Sequence, residues 1–288
     1  MAVVRMWFWT RWIAYDPYDP DGSFPLGADD REPISDARLT LLDPSTDSGE
    51  GPLPPASEPR ELTIVHGEID ASDTTAHLLF PTRDEQPFLP FQRFAESMAT
   101  SRRKGEMHPH QGEEVVQYVL EGYIDHEDGS GNHTSLTEGS LLVLTARDEV
   151  RHALRMERGR TARWLSLVVR LPLTTEVPQT SLQIMTARRP SVGSDGTVRT
   201  PLVGSNGPAR TSSGLELTDI GFAKEATAFL RVGRDRRGIA YVLSGIGSVE
   251  DHGLEPGHGV LLENMSGLSL RGEAGYRVAL ASVPRPVA

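Results

Sequence analysis

A chain of 288 residues is long for one domain and comfortable for two, and 38% hydrophobic with 24% charged residues is enough to build soluble cores. A formal net charge of −11 excludes a surface built to track nucleic acid, which needs a basic stripe. The absence of cysteine excludes disulfides, thiolate metal sites and a cysteine nucleophile, so a transition metal has only His, Asp or Glu to hold it.

The opening segment, MAVVRMWFWTRWIAY, is aromatic but interrupted by Arg5 and Arg11. It is too short and too charged to span a bilayer, and no small-residue cleavage site follows, which implies a cytoplasmic protein without membrane association. Trp7, Trp9 and Trp12 are expected to staple a terminal arm onto the body. Residues 16–60 are dense in Pro, Asp, Ser and Gly and read as the rest of that extended arm, 1–60.

Strand-like pieces begin at ELTIVHG and AHLLFP, whereas PFQRFAESMATSRRKGEM reads as loop with one helical turn. From Glu113 to Leu171 the β signal is dense, with turn signals at intervals that suit a barrel or sandwich. Residues 186–214 are poor in hydrophobic residues and read as a linker crossing a surface. A second β series follows, and its YVLSGIGSV echoes the earlier YVLEGYIDH. This is an internal repeat at roughly 120 residues, as duplicated barrels would give.

The string carrying chemistry is Met107-His-Pro-His-Gln-Gly-Glu-Glu114. On one strand His108, His110 and Glu114 share parity, and residues two apart stand roughly 7 Å apart at their bases, within common reach of one ion. His152, in VRHAL, is placed to close the site from another strand. Three neutral imidazoles with an optional carboxylate suit Fe, Mn, Co, Ni, Cu or Zn, with a position left for substrate or water. Glu114 is open between ligand, general base and outer hydrogen-bond partner, and Glu113 is the other candidate base. Backbone-bonded histidines without metal are the plainer alternative for His108 and His110. His126 and His133 flank a hairpin and read as surface residues. His252 and His258 read as solvated, and His66 and His77 have no evident company.

H-x-H-x3-E followed after about forty residues by His is the cupin pattern, and over about residues 61–288 the chain resembles the pirin family. The segments carrying the likeness are DEQPFLPFQRF, MHPHQGEEVVQYVLEGYIDHEDGSGN, TEGSLLVLTARDEVRHAL and WLSLVVRLP. The resemblance implies an all-β bicupin, two tandem jelly-roll β-barrels, over 61–175 and 176–288. It implies one divalent metal, iron first, in the first barrel only, on His108, His110 and His152. It also implies either quercetin 2,3-dioxygenase-like chemistry on a small organic substrate or a regulatory role. The family's glutamate two residues after the third histidine is here Leu154, its arginine after the second is Gln111, and its phenylalanine before the motif glutamate is Glu113. Leu154, Gln111 and Tyr118 are expected to line the pocket. A polyphenol, enol or polyketide-like substrate fits this reading, with a labile metal and dioxygenase-type chemistry. A non-oxidative cyclase or isomerase and a non-enzymatic metal-sensing or protein-binding module are the alternatives.

Overall fold

Short β-branched and aromatic runs separated by glycine and proline turns fold into strands throughout: every regular element among the described residues is a strand. The computed structural model describes residues 38–41, 60–69, 75–82, 84–100, 105–156, 161–172 and 179–285. The tryptophan cluster and most of the arm lie outside these residues. Within the arm, however, Arg38–Leu41 is a strand, β1, paired with β2 (Arg60–Val65).

The first barrel centres on a sheet in the order β11 (Ser181–Thr186), β8 (Ser140–Ala146), β6 (Glu113–Asp128), β10 (Thr161–Arg170), β4 (Phe91–Thr100) and β3 (Thr75–Phe80). β7 (His133–Thr137) and β9 (Val150–Arg155) pair with the far half of β6, and β5 (His108–His110) pairs with β9. The second barrel has an eight-stranded sheet in the order β1, β2, β19 (Gly259–Glu263), β16 (Arg236–Ser244), β21 (Arg277–Pro284), β14 (Glu216–Phe222), β13 (Thr197–Val203) and β12 (Ser191–Val192). Its opposing sheet runs β15 (Ala226–Arg231), β20 (Gly267–Gly272), β17 (Gly247–Val249) and β18 (His252–Gly253). The architecture is the expected all-β bicupin.

Sheet membership does not follow the sequence boundary near residue 175. β2 leaves the first half to pair with β19, and β11 leaves the second half to pair with β8. The segment 186–214 is not a plain linker. Asp195 caps a turn by accepting from the Thr197 amide (3.1 Å) and hydroxyl (2.6 Å), and that turn folds β12 onto β13. Polar turn chemistry gave this hairpin the composition of a loop.

FQRFAESMAT is likewise a strand, β4, lying between β10 and β3. Its charged residues hid it, and the structure shows how they are tolerated. Glu96 is buried and paired with Arg163 of β10, and it also accepts from the Tyr241 hydroxyl of the second barrel at 2.8 Å. Asp219 of β14 repeats this arrangement with Arg277 of β21 and the Tyr118 hydroxyl of the first barrel, at 3.2 Å. The register makes the two sets equivalent. Leu165 of β10 lies between Tyr118 and Glu96, as Ala279 of β21 lies between Tyr241 and Asp219.

Around these carboxylates the two large sheets share one apolar core, with Phe94, Val116 and Leu165 on one side and Leu217, Tyr241 and Ala279 on the other. Separate cores fill the first barrel, around Val119, Ile124 and Trp164, and the second, around Val242, Val260 and Tyr276. Each large side chain buried in the shared core contributes ~1.5–3 kcal/mol. A buried ion pair adds little net attraction, because desolvation offsets it. The apolar surface therefore drives the barrels together, and the carboxylate sets fix which residues meet. Removing one carboxylate should cost more than removing its tyrosine hydroxyl. Asp219→Ala strands Arg277 and is expected to cost on the order of 3 kcal/mol, against about 1 kcal/mol for Tyr118→Phe, as read by urea unfolding.

Candidate metal centre

Three histidines converge at one end of the first barrel. β5 pairs with β9 so that His108 stands opposite His152 and His110 opposite Val150. One ligand atom from each of His108, His110 and His152 lies within 4.8 Å of the others, and the ring centroids are 4.6–4.9 Å apart. His108 is exposed, His110 half-buried and His152 fully buried, so the cluster opens on one side.

The chemistry of these donors fits a metal ion. The Nδ1 of His108 faces the Glu106 carbonyl at 2.9 Å and that of His110 faces Glu113 Oε1. Both partners accept, so Nδ1 is the donating nitrogen of each ring and Nε2 is the atom left to face a metal ion. His110 Nε2 lies 3.0 Å from His152 Nε2. Burial above all, then the neighbouring His110 and His108, push the His152 pKa down to about 3, which keeps that ring neutral as metal binding requires.

The two glutamates part company. Glu113 lies on the inward face of β6 and orients His110, with the Gln92 amide donating to its second oxygen while accepting from Arg170 Nε at 3.3 Å. Its carboxylate holds the His110 ring rather than standing free as a base. Glu114 is fully buried and turned to the opposite face. It accepts from the Thr145 hydroxyl (3.0 Å) and from the backbone N–H groups of Ser212 (2.6 Å) and Ser213 (3.0 Å). The expectation that it joins the histidines as ligand or base is corrected. Parity is not carried from His110 to Glu114, because β5 ends before Gly112, whose φ of +70° breaks the alternation.

Tyr118 shares the Glu114 face and reaches Asp219, so it belongs to the junction between the barrels and not to the pocket. Burial, with Asp219 beside it, raises its pKa to about 12. Gln111 is exposed in the turn between β5 and β6. Leu154 shares the inward face of β9 with His152 and packs with Val150 and Met156 against the barrel core.

Two interior residues escaped the sequence reading. His126, expected at the surface, is 1% exposed, with its ring 5.3 Å from that of His152. Gln117 is buried on the inward face of β6, and its Oε1 has no partner. The cue for His126 is Gly122. There φ is +71°, and a Cβ would meet the Thr161 carbonyl oxygen at 2.0 Å. The register with β10 slips beside it, so that odd-numbered Val119 and even-numbered Ile124 enter the same core. Elsewhere, His66 and His258 are not solitary, since their rings meet edge-on at 4.6 Å across the β2–β19 pair.

Residues 65–166 match the family described as Pirin. That match covers 102 of the 288 residues. A quercetin 2,3-dioxygenase of Escherichia coli K12 is 37% identical over 46 residues, which is 16% of this chain and 20% of that protein's length. A quercetin 2,3-dioxygenase structure from Acinetobacter baumannii superposes with a TM-score of 0.67 at 21% identity, covering 77% of this chain and 85% of that one. A bacterial pirin in complex with nickel(II), from E. coli, gives 0.63 at 16%, covering 78% and 93%. These superpositions establish the fold, and the histidine cluster lies inside the pirin segment. Glu114 gives a test that separates scaffold from site. Glu114→Ala takes the shared acceptor from the buried Thr145 hydroxyl and the part-buried Ser212 and Ser213 N–H groups and is expected to cost roughly 1–3 kcal/mol in unfolding, while metal content at low temperature is unchanged.

Proposed function

We propose that this pirin-type bicupin is a metal-dependent enzyme acting on a small polyphenol, enol or polyketide-like molecule, with dioxygenase-type chemistry. The observation that carries the reading is the convergence of three imidazoles, two with Nδ1 held by acceptors and the third kept neutral by burial. The relatives named for quercetin dioxygenation and the nickel-bound pirin support a divalent ion and a small organic substrate. Iron is our first assignment, with Mn, Ni, Cu and Zn as the other candidates. A cytoplasmic setting is part of the reading and accords with the cysteine-free sequence.

Bound there, such an ion would supply Lewis acidity toward an enol or carbonyl oxygen and, if redox-active, electron exchange with O₂. His108, His110 and His152 would hold it. Glu113 keeps the proton of His110 on Nδ1, so the ring would face a bound ion through Nε2. Leu154 makes one wall apolar, where it favours a flat organic molecule and disfavours water.

Leu154 also favours a second reading. Three neutral donors without a carboxylate would leave the full dipositive charge on a bound ion, which would strengthen Lewis-acid action and suit a non-oxidative cyclase or isomerase. Restoring a carboxylate should show in metal retention. Leu154→Glu is expected to bind metal roughly 10-fold tighter or better, and His110→Ala to lose it, as measured by chelator competition. Oxygen uptake by the iron-loaded protein with quercetin tests the chemistry. Uptake that disappears in His110→Ala supports the oxidative reading. Quercetin binding without uptake would replace it with the Lewis-acid one.

A further inference from the structure

His126 lies inside the first barrel, and neither of its ring nitrogens has a hydrogen-bond partner. Buried polar atoms left without partners are destabilising and uncommon, so this ring calls for a reason. A neutral imidazole offers one donor and one acceptor nitrogen.

His152 has the complementary need. Its Nε2 points at His110, whereas its Nδ1 is buried and unpartnered. His108 and His110 each have an acceptor at Nδ1, the Glu106 carbonyl and the Glu113 carboxylate, and His152 has none. The register sets His126 directly across from Leu154, so both lie on the inward face that carries His152. Leucine cannot accept a hydrogen bond. The imidazole of His126, tilted 55° to that of His152 at a centroid separation of 5.3 Å, can. Torsion about the terminal bond of a histidine is soft, so a modest ring rotation brings the nitrogens together.

We propose that His126 is a positioning residue for His152: it accepts the Nδ1–H of His152 and turns the Nε2 lone pair toward His108 and His110. The proposal rests on the reading that these three histidines hold a metal ion. The outer partner of the most buried ligand would then be an imidazole drawn from beyond the Gly122 bulge.

The test compares wild type with His126→Leu, which removes the acceptor, and His126→Gln, which keeps one. Nitrogen-15 NMR of the metal-free protein reads the His152 tautomer, and Co(II) titration reads affinity and ligand-field bands. The wild type is expected to hold His152 with its proton on Nδ1. In His126→Leu that preference should be lost, Co(II) affinity should fall ~10–100-fold and the bands should shift, with His126→Gln recovering most of the affinity. The melting transition of metal-free His126→Leu should stay cooperative, so that the loss of affinity is read on a folded protein. A core residue with no positioning role would change stability alone. Native Co(II) affinity and an unchanged His152 tautomer in His126→Leu would overturn the proposal. If His126→Leu does not fold, His126→Phe serves as the acceptor-free variant. Failure of the wild type to take up Co(II) would sink the metal reading, and the tautomer comparison would still decide the His126–His152 pair.

Discussion

Two carboxylates buried between the barrels set how the halves of this protein meet. Glu96 and Asp219 are each paired with an arginine of their own barrel, Arg163 and Arg277, and each accepts a hydroxyl from a tyrosine of the other, Tyr241 and Tyr118. An unpaired carboxylate in this apolar core would be severely penalised, so slippage of one sheet against the other is opposed wherever it breaks these contacts. The reciprocity matches the internal repeat. YVLEG and YVLSG both place their tyrosine on the face that meets the opposite barrel.

That constraint reaches the histidine cluster through β6. Its first half is bonded to β10 and β8 and has two distinct faces. Glu114, Val116 and Tyr118 look toward the second barrel, and Glu113, Val115 and Gln117 look inward. Glu114 ties the strand to the backbone of Ser212 and Ser213 while its neighbour Glu113 orients His110. Adjacent residues of one chemical type therefore serve the junction and the site.

The cluster is ordered by depth. His108 at the rim is held by a backbone carbonyl, His110 by a carboxylate, and His152 lies deepest beside Leu154 and His126. The cluster is reached from the rim, and its deep end combines the apolar Leu154 with the unpartnered ring of His126. With Leu154 where the family motif has a glutamate, the nearest anionic group bonded to the cluster is Glu113, which acts through His110. That carboxylate therefore acts on the cluster through a hydrogen bond to one of its imidazoles.

The sequence by itself determined the β class, the duplication and the metal-type histidines. Strand propensity, glycine turns, the repeated YVL-x-G phrase and the H-x-H spacing are all local signals, readable without knowing what packs where. It also carried the pirin likeness, which is densest around that motif. Tertiary structure alone decided which faces those residues occupy. Side-chain alternation is a local rule only while backbone phase is kept, and Gly112 and Gly122, both at positive φ, reset it. The first reset took Glu114 away from the histidines, and the second brought His126 in. Glu96 made β4 look like loop because its partners, Arg163 and Tyr241, are far away in sequence. Tyr118 looked like a pocket residue for the same reason: the group it bonds, Asp219, lies in the other barrel, and only packing brings the two together.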